Sequence, residues 1–119
     1  MNPQIHIHRI YDPLPEELAG CRRILIDRLW PRGISKQHAD LDYWARDIAP
    51  SDALRKWYRH DHAKWEEFKV RYFAELDANP VGVANLLEHL VDQEVVFLFS
   101  SKEREYNNAS ALRIYLTGA

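Results

Sequence analysis

A chain of 119 residues that is 46% hydrophobic and 29% charged has the size and balance of one soluble globular domain, 1–119, burying roughly two thirds of its unfolded surface. The net charge of −2 and pI near 6.3 provide no basic field for a polyanion, which argues against nucleic acid as a partner. The lone Cys21 allows no internal disulfide, no apolar run nears the ~20 residues of a membrane span, and Met1 to His6 lacks the basic and apolar regions of a signal peptide, so the expectation is a cytoplasmic protein.

In chain order, the alternation over Ile5 to Tyr11 predicts a strand, which Asp12-Pro13-Leu14-Pro15 ends because proline removes donors and restricts the residue before it. A short helical turn is expected over Glu16 to Gly20. Arg22 to Leu29 predicts a second strand whose apolar stretch suits cover on both faces. Leu41, Trp44 and Ile48, at i, i+3 and i+7, predict a short helix ending before Pro50. Ser51 is placed to cap a helix carrying Leu54, Trp57 and Tyr58. Asp61 can cap the next, whose stripe is Trp65, Phe68, Tyr72 and Leu76. Asn79-Pro80 reads as an N-cap with proline at the first helical position, opening a helix with Val83, Leu86, Leu87, Leu90 and Val91 on one side. Val95 to Phe99 predicts a fully buried strand, and Tyr106 to Leu116 a last helix. Strands joined through long helical segments are most easily parallel. The expected fold is a small α/β domain, a mostly parallel sheet of about three strands with helices on both faces, Arg22 to Leu29 lying beside Val95 to Phe99. The tryptophans are expected to be mostly structural, with Trp44 and Trp65 buried.

The most chemically dense segment is Asp27-Arg28-Leu29-Trp30-Pro31-Arg32-Gly33. It follows Ile24-Leu25-Ile26 and is broken by Pro-x-Gly, so it delivers its side chains to the carboxyl-end rim where α/β proteins place ligands. If the two buried strands are parallel neighbours, Ser100, Ser101 and Lys102 reach the same rim. Arg28, Arg32 and Lys102, with hydroxyls such as Ser101, suit a carboxylate or phosphate. The last helix can turn its free N–H groups to the same anion. Asp27 is a candidate general base, or a brace for Arg28 or Arg32, and Trp30 is the indole best placed to line the site. Asn107-Asn108 can cap the helix or supply amides to the rim. The competing account is a closed network of ion pairs and caps. His60 beside Asp61 is a candidate acid or base near neutral pH, against a loop histidine bonded to backbone. His60 and His62 diverge on a helix, and with His6 and His8 elsewhere the sequence does not place the third ligand of a zinc or iron site. No metal or cofactor is expected. Arg22-Arg23, Arg55-Lys56 and Arg59 with Trp57 and Tyr58 resemble a base-stacking patch, but a solvated helix face accounts for them better. The common nucleotide, hydrolase and metalloprotease fingerprints are absent.

The heptapeptide Asp27 to Gly33 with Lys36 resembles the signature of the YeaO-like proteins, a bacterial family of domain-of-unknown-function type (family 488). So do Trp44 with Ala49-Pro50-Ser51, Leu54-Arg55-Lys56-Trp57, His60-Asp61, and Trp65 with Phe68, Arg71-Tyr72 and Glu75-Leu76. The resemblance spans nearly the whole chain. It departs at Ser100-Ser101-Lys102-Glu103, where the family tends to an Ala-Ala-Lys-Asp-like run, and at Asn108, where a histidine often stands. It implies a small bacterial α/β protein and no established activity. Two readings of function follow: binding of, and catalysis on, a small anionic ligand at the rim, or a non-catalytic protein-interaction module. The oligomeric state is not legible.

Overall fold

The structure, a computed structural model, describes residues 4–91 and 93–118; the first three residues of the Met1 to His6 segment lie outside them. Four strands form one parallel sheet in the order β1-β4-β2-β3: β1 Ile5–Arg9, β2 Arg22–Leu25, β3 Tyr43–Trp44 and β4 Val95–Phe99. The helices are α1 Lys36–Ala39, α2 Asp52–Tyr58, α3 Trp65–Asp77, α4 Pro80–Glu88 and α5 Asn108–Thr117, with 3-10 turns at Glu16–Leu18, Arg46–Ile48 and His62–Lys64. β4 sits at the centre, between β1 and β2, and all five of its residues are buried. That is why its sequence is an unbroken apolar run.

Alternation along the strands sorts the core into two layers. Ile5, Ile24, Ile26, Val95, Phe97 and Phe99 face the four longer helices, packing with Leu54, Tyr58, Phe68, Tyr72, Leu76, Leu86 and Leu112. Leu25, Val96 and Leu98 face the other way, against Cys21, Ile10, Leu14, Leu18, Trp30, Leu41 and Trp44. The helical cover is therefore unequal: long helices on one face, short turns and loops on the other.

The expected caps are present. Ser51 Oγ accepts from Leu54 N at 3.2 Å, Asp61 Oδ1 from Ala63 N at 3.0 Å, and Asn79 Oδ1 from Gly82 N at 3.1 Å. Three expectations are corrected. Leu41, Trp44 and Ile48 share no helix: Leu41 precedes β3, Trp44 lies in it, and Ile48 ends a 3-10 turn. The pairing of Ile24 with Tyr43 and Leu25 with Trp44 extends the backbone there, and three apolar positions over a strand and a turn imitate a helical period. Trp44 and Trp65 are half-buried rather than buried. On α4 and the turn after it, Leu86 and Leu90 are buried, but Leu87 and Val91 are exposed at 44% and 64%, because the apolar arc is wider than the helix's contact with the core. Three bounds differ in detail: β1 ends at Arg9, β2 at Leu25, and the last helix starts at Asn108.

Candidate functional site

The register that pairs Leu25 with Leu98 carries the chain ends of β2 and β4 out side by side, so Asp27 meets Ser100. Ser100 N donates to Asp27 Oδ2 at 2.9 Å. From the start of α5, Asn108 Nδ2 donates to Asp27 Oδ1 at 3.0 Å and to the Ile26 carbonyl at 2.6 Å. Trp44 Nε1 holds the Asp27 carbonyl at 2.6 Å. Burial pushes the Asp27 carboxyl above its ordinary value, opposed by the hydrogen bonds from Ser100 and Asn108 and by the Arg55 charge. Arg28 Nη2 and Nε donate to the carbonyls of Ala49 and Pro50 at 3.0 and 3.2 Å. The Arg28 Nη1 makes no hydrogen bond among the described residues.

These groups border a cleft of about 190 Å³ whose lining also includes Arg55, Tyr58, His60, Phe68 and Ser101. Tyr58 reaches it from the end of α2 with its hydroxyl donated to the Tyr106 carbonyl at 2.7 Å, and burial pushes its phenol upward. His60 joins the lining after two consecutive residues with positive φ, Arg59 (φ 48°) and His60 itself (φ 57°). That conformation costs non-glycine residues of order 1–3 kcal/mol each. The His60 ring lies edge-on to Tyr58, centroids 6.0 Å apart.

Of the residues singled out in the sequence, the structure gathers Asp27, Arg28, His60 and Ser101 around this cleft. Trp30, Arg32, Lys102 and Asn107 are not among its lining residues. Trp30 turns to the loop-covered face, its ring edge-on to Trp44 at 5.3 Å and its Nε1 bonded to the Ile34 carbonyl at 2.6 Å. Arg32 and Lys102 are exposed. Asn107 is buried, capping α5 through Ser110 N at 2.9 Å and donating to the Glu103 carbonyl at 3.0 Å. The adjacent asparagines thus divide the two roles open to them, Asn107 as cap and Asn108 as rim amide. Pro50, Arg55, Tyr58 and Phe68 were not foreseen at the site. The spacing of Tyr58 and Phe68 marked α2 and α3 as core-facing, but nothing in the sequence shows that the ends of those helices overhang the strand ends.

Residues 4–119 match the family described as the inactive DUF488-N3 subclade. The chain belongs to that family. It is 37% identical over 112 residues to the uncharacterized protein YeaO of Escherichia coli, which covers 94% of this chain and 96% of YeaO. Uncharacterized proteins of Mycobacterium bovis and Mycobacterium tuberculosis are each 37% identical over 73 residues, 61% of this chain and 60% of theirs. No solved structure matches. Among the described residues no helix is long and apolar enough to cross a membrane.

Proposed function

We propose that this YeaO-like protein uses the strand-end cleft to bind, without transforming, a small ligand that carries an anionic group on an apolar body. The observation that carries the reading is the state of Asp27. The cleft holds a carboxylate, a histidine and two serines, the residue types of a nucleophilic relay. Yet both Asp27 oxygens accept from Ser100 and Asn108 rather than from His60, and the Ser101 hydroxyl is turned to the Glu103 carbonyl at 3.3 Å. A carboxylate with both oxygens held in this way braces the rim and is not aligned with His60 or a serine hydroxyl as a relay requires, in keeping with a subclade described as inactive. What remains for a ligand is the guanidinium of Arg55, whose Nη2 also pairs with Asp52 Oδ1 at 3.2 Å, the His60 ring and the Arg28 side chain, beside the apolar surfaces of Leu29, Pro50, Tyr58 and Phe68. Guanidinium groups suit carboxylate or phosphate, and a mostly apolar lining with a few convergent polar groups is the usual form of a small-molecule site.

The test is a titration of phenyl phosphate, followed by backbone amide chemical shifts, into the wild type, Arg55→Ala and His60→Ala. Saturable shifts at Ser100, Ser101 and Asn108 that weaken about tenfold in Arg55→Ala, the loss of roughly 1.4 kcal/mol, are expected. Shifts scattered over the surface, or unchanged by both substitutions, would overturn the reading.

A further inference from the structure

The opposite end of the sheet carries a second cluster, built by the same parallel register. Ile5 pairs with Val95, and Val95 with Arg22. The residues just before those positions on β4 and β2, Glu94 and Cys21, therefore lie in one row, and His6 stands two residues beyond Gln4 of that row. Side chains two apart on a strand share a face, so three neighbouring chain segments bring an imidazole, a thiol and a carboxylate together. His6 Nε2 lies 3.3 Å from Glu94 Oε2, and Cys21 Sγ lies 3.8 Å from the same oxygen. One ligand atom from each of the three lies within 4.8 Å of the others.

We propose that His6, Cys21 and Glu94 form a binding site for a borderline-soft divalent transition-metal ion such as Zn²⁺. Sulfur, nitrogen and oxygen are the donors such an ion takes, at about 2.3, 2.0–2.1 and 2.0–2.2 Å. A tetrahedron with those bonds has edges of roughly 3.3–3.7 Å, so the His6–Glu94 separation of 3.3 Å already matches and the Cys21–Glu94 separation of 3.8 Å needs to close only slightly. The three side chains share a single acceptor atom, so an ion between them replaces one weak thiol contact and one long imidazole contact rather than a filled network. Neighbouring cations are turned aside: Arg22 Nη1 donates to the His89 carbonyl at 3.3 Å, and Arg23 Nη1 lies 3.8 Å from Asp40. His6 and Glu94 are 38% and 55% exposed, which leaves an approach from solvent and a fourth position for water. Binding exchanges the Cys21 Sγ–H bond for an Sγ–metal bond and releases one proton to solvent. Nothing in this site depends on the cleft at the other end of the strands.

Cys21 is the chain's one cysteine, so a thiolate-to-metal charge-transfer band on adding Co²⁺ can arise from this site alone, whatever the other histidines bind. The experiment titrates Co²⁺, then Zn²⁺ in competition, into the reduced full chain and into Cys21→Ser, His6→Ala and Glu94→Gln. The wild type should show the band, saturate at one ion per chain and lose the band to Zn²⁺. Cys21→Ser should lack it. His6→Ala and Glu94→Gln, both at partly exposed positions, should each need at least about tenfold more Co²⁺, since even outer-shell partners of a metal ligand contribute 10–100-fold. A wild type without the band, or a band reached at the same Co²⁺ concentration in both His6→Ala and Glu94→Gln, would overturn the site.

Discussion

The two ends of the sheet are built from the same strands and handle their polar groups in opposite ways. At the carboxyl end, each Asp27 oxygen accepts a hydrogen bond and Arg28 is bonded to two backbone carbonyls. At the amino end, His6 and Cys21 share one oxygen of a half-exposed Glu94. The first arrangement is a brace, because removing any member leaves a desolvated group without its partner. The second is loose, and its members can be exchanged at small cost or drawn together by an ion. Charge density in a sequence therefore does not distinguish a binding group from a structural one; the number of partners each group keeps does.

The largest effect that tests this contrast is Asp27→Ala. It leaves the Ser100 N–H without its acceptor and removes one of the two bonds from Asn108. An orphaned donor at such a part-buried position costs about 1–3 kcal/mol, so urea unfolding should shift by about that much. Glu94→Gln should stay within about 0.5 kcal/mol, as surface substitutions do. Equal losses in the two variants would erase the difference between the ends.

Next comes Asn107→Ala, expected to cost about 1 kcal/mol and at most about 2, the range for an N-cap. The side chain is 1% exposed and satisfies both Ser110 N and the Glu103 carbonyl. It also fixes where α5 begins, and hence where Asn108 meets Asp27. Amide hydrogen exchange at Ser110 and Asn108 should accelerate in this variant, while exchange in β1 keeps its wild-type protection.

How far the sequence carried these conclusions depends on the physical range of each signal. The sheet was legible because Ile24 to Ile26 and Val95 to Phe99 are continuous apolar runs separated by helical periods, and such runs belong side by side under cover. Ser51, Asp61 and Asn79 were legible because caps act over three residues. β3 was not: it has two residues, and its extended form comes from pairing with Ile24 and Leu25, which no local pattern encodes. Asp27 and Arg28 could be placed at the rim from the strand end alone. Arg55, Tyr58 and Phe68 could not, since their arrival depends on how α2 and α3 dock. The cluster of His6, Cys21 and Glu94 needs the register of three strands, with Glu94 more than 70 positions from each of the other two in the chain.

A smaller response is expected with pH. Burial raises the Asp27 carboxyl in the folded state, so between the ordinary value of 3.8 and the raised one the folded chain binds more protons than the unfolded chain. Stability from this group therefore rises as pH falls through the window and is lost as pH climbs through the folded value. Subtracting the profile of Asp27→Asn cancels the other carboxylates, among them Asp12 and Glu103, which are lowered and act in the opposite sense. The difference, wild type minus Asp27→Asn, should slope downward with rising pH. A flat difference would mean that Asp27 is no harder to ionise in the fold than outside it.

The smallest effect belongs to Arg32→Ala and Lys102→Ala, and it separates the sequence motif from the site. Arg32 lies only five positions after Asp27, but Pro31 is buried and Gly33 holds φ at 80°, a left-handed turn that glycine adopts without strain. The turn carries Arg32 outward, where its carbonyl, rather than its guanidinium, is bonded to Tyr11 Oη at 2.7 Å. Substitution to alanine leaves that carbonyl in place. Lys102 is exposed in the turn after β4 and lies outside the cleft's lining. Each variant should unfold within about 0.5 kcal/mol of the wild type. Phenyl phosphate should shift the same amides in both, with affinity changed less than threefold, because two exposed charges beyond contact distance act only through a field that salt screens over roughly 8–10 Å. A tenfold loss on Arg32→Ala, beside none on Arg55→Ala, would move the anion from the cleft to the turn and make the heptapeptide itself the binding element.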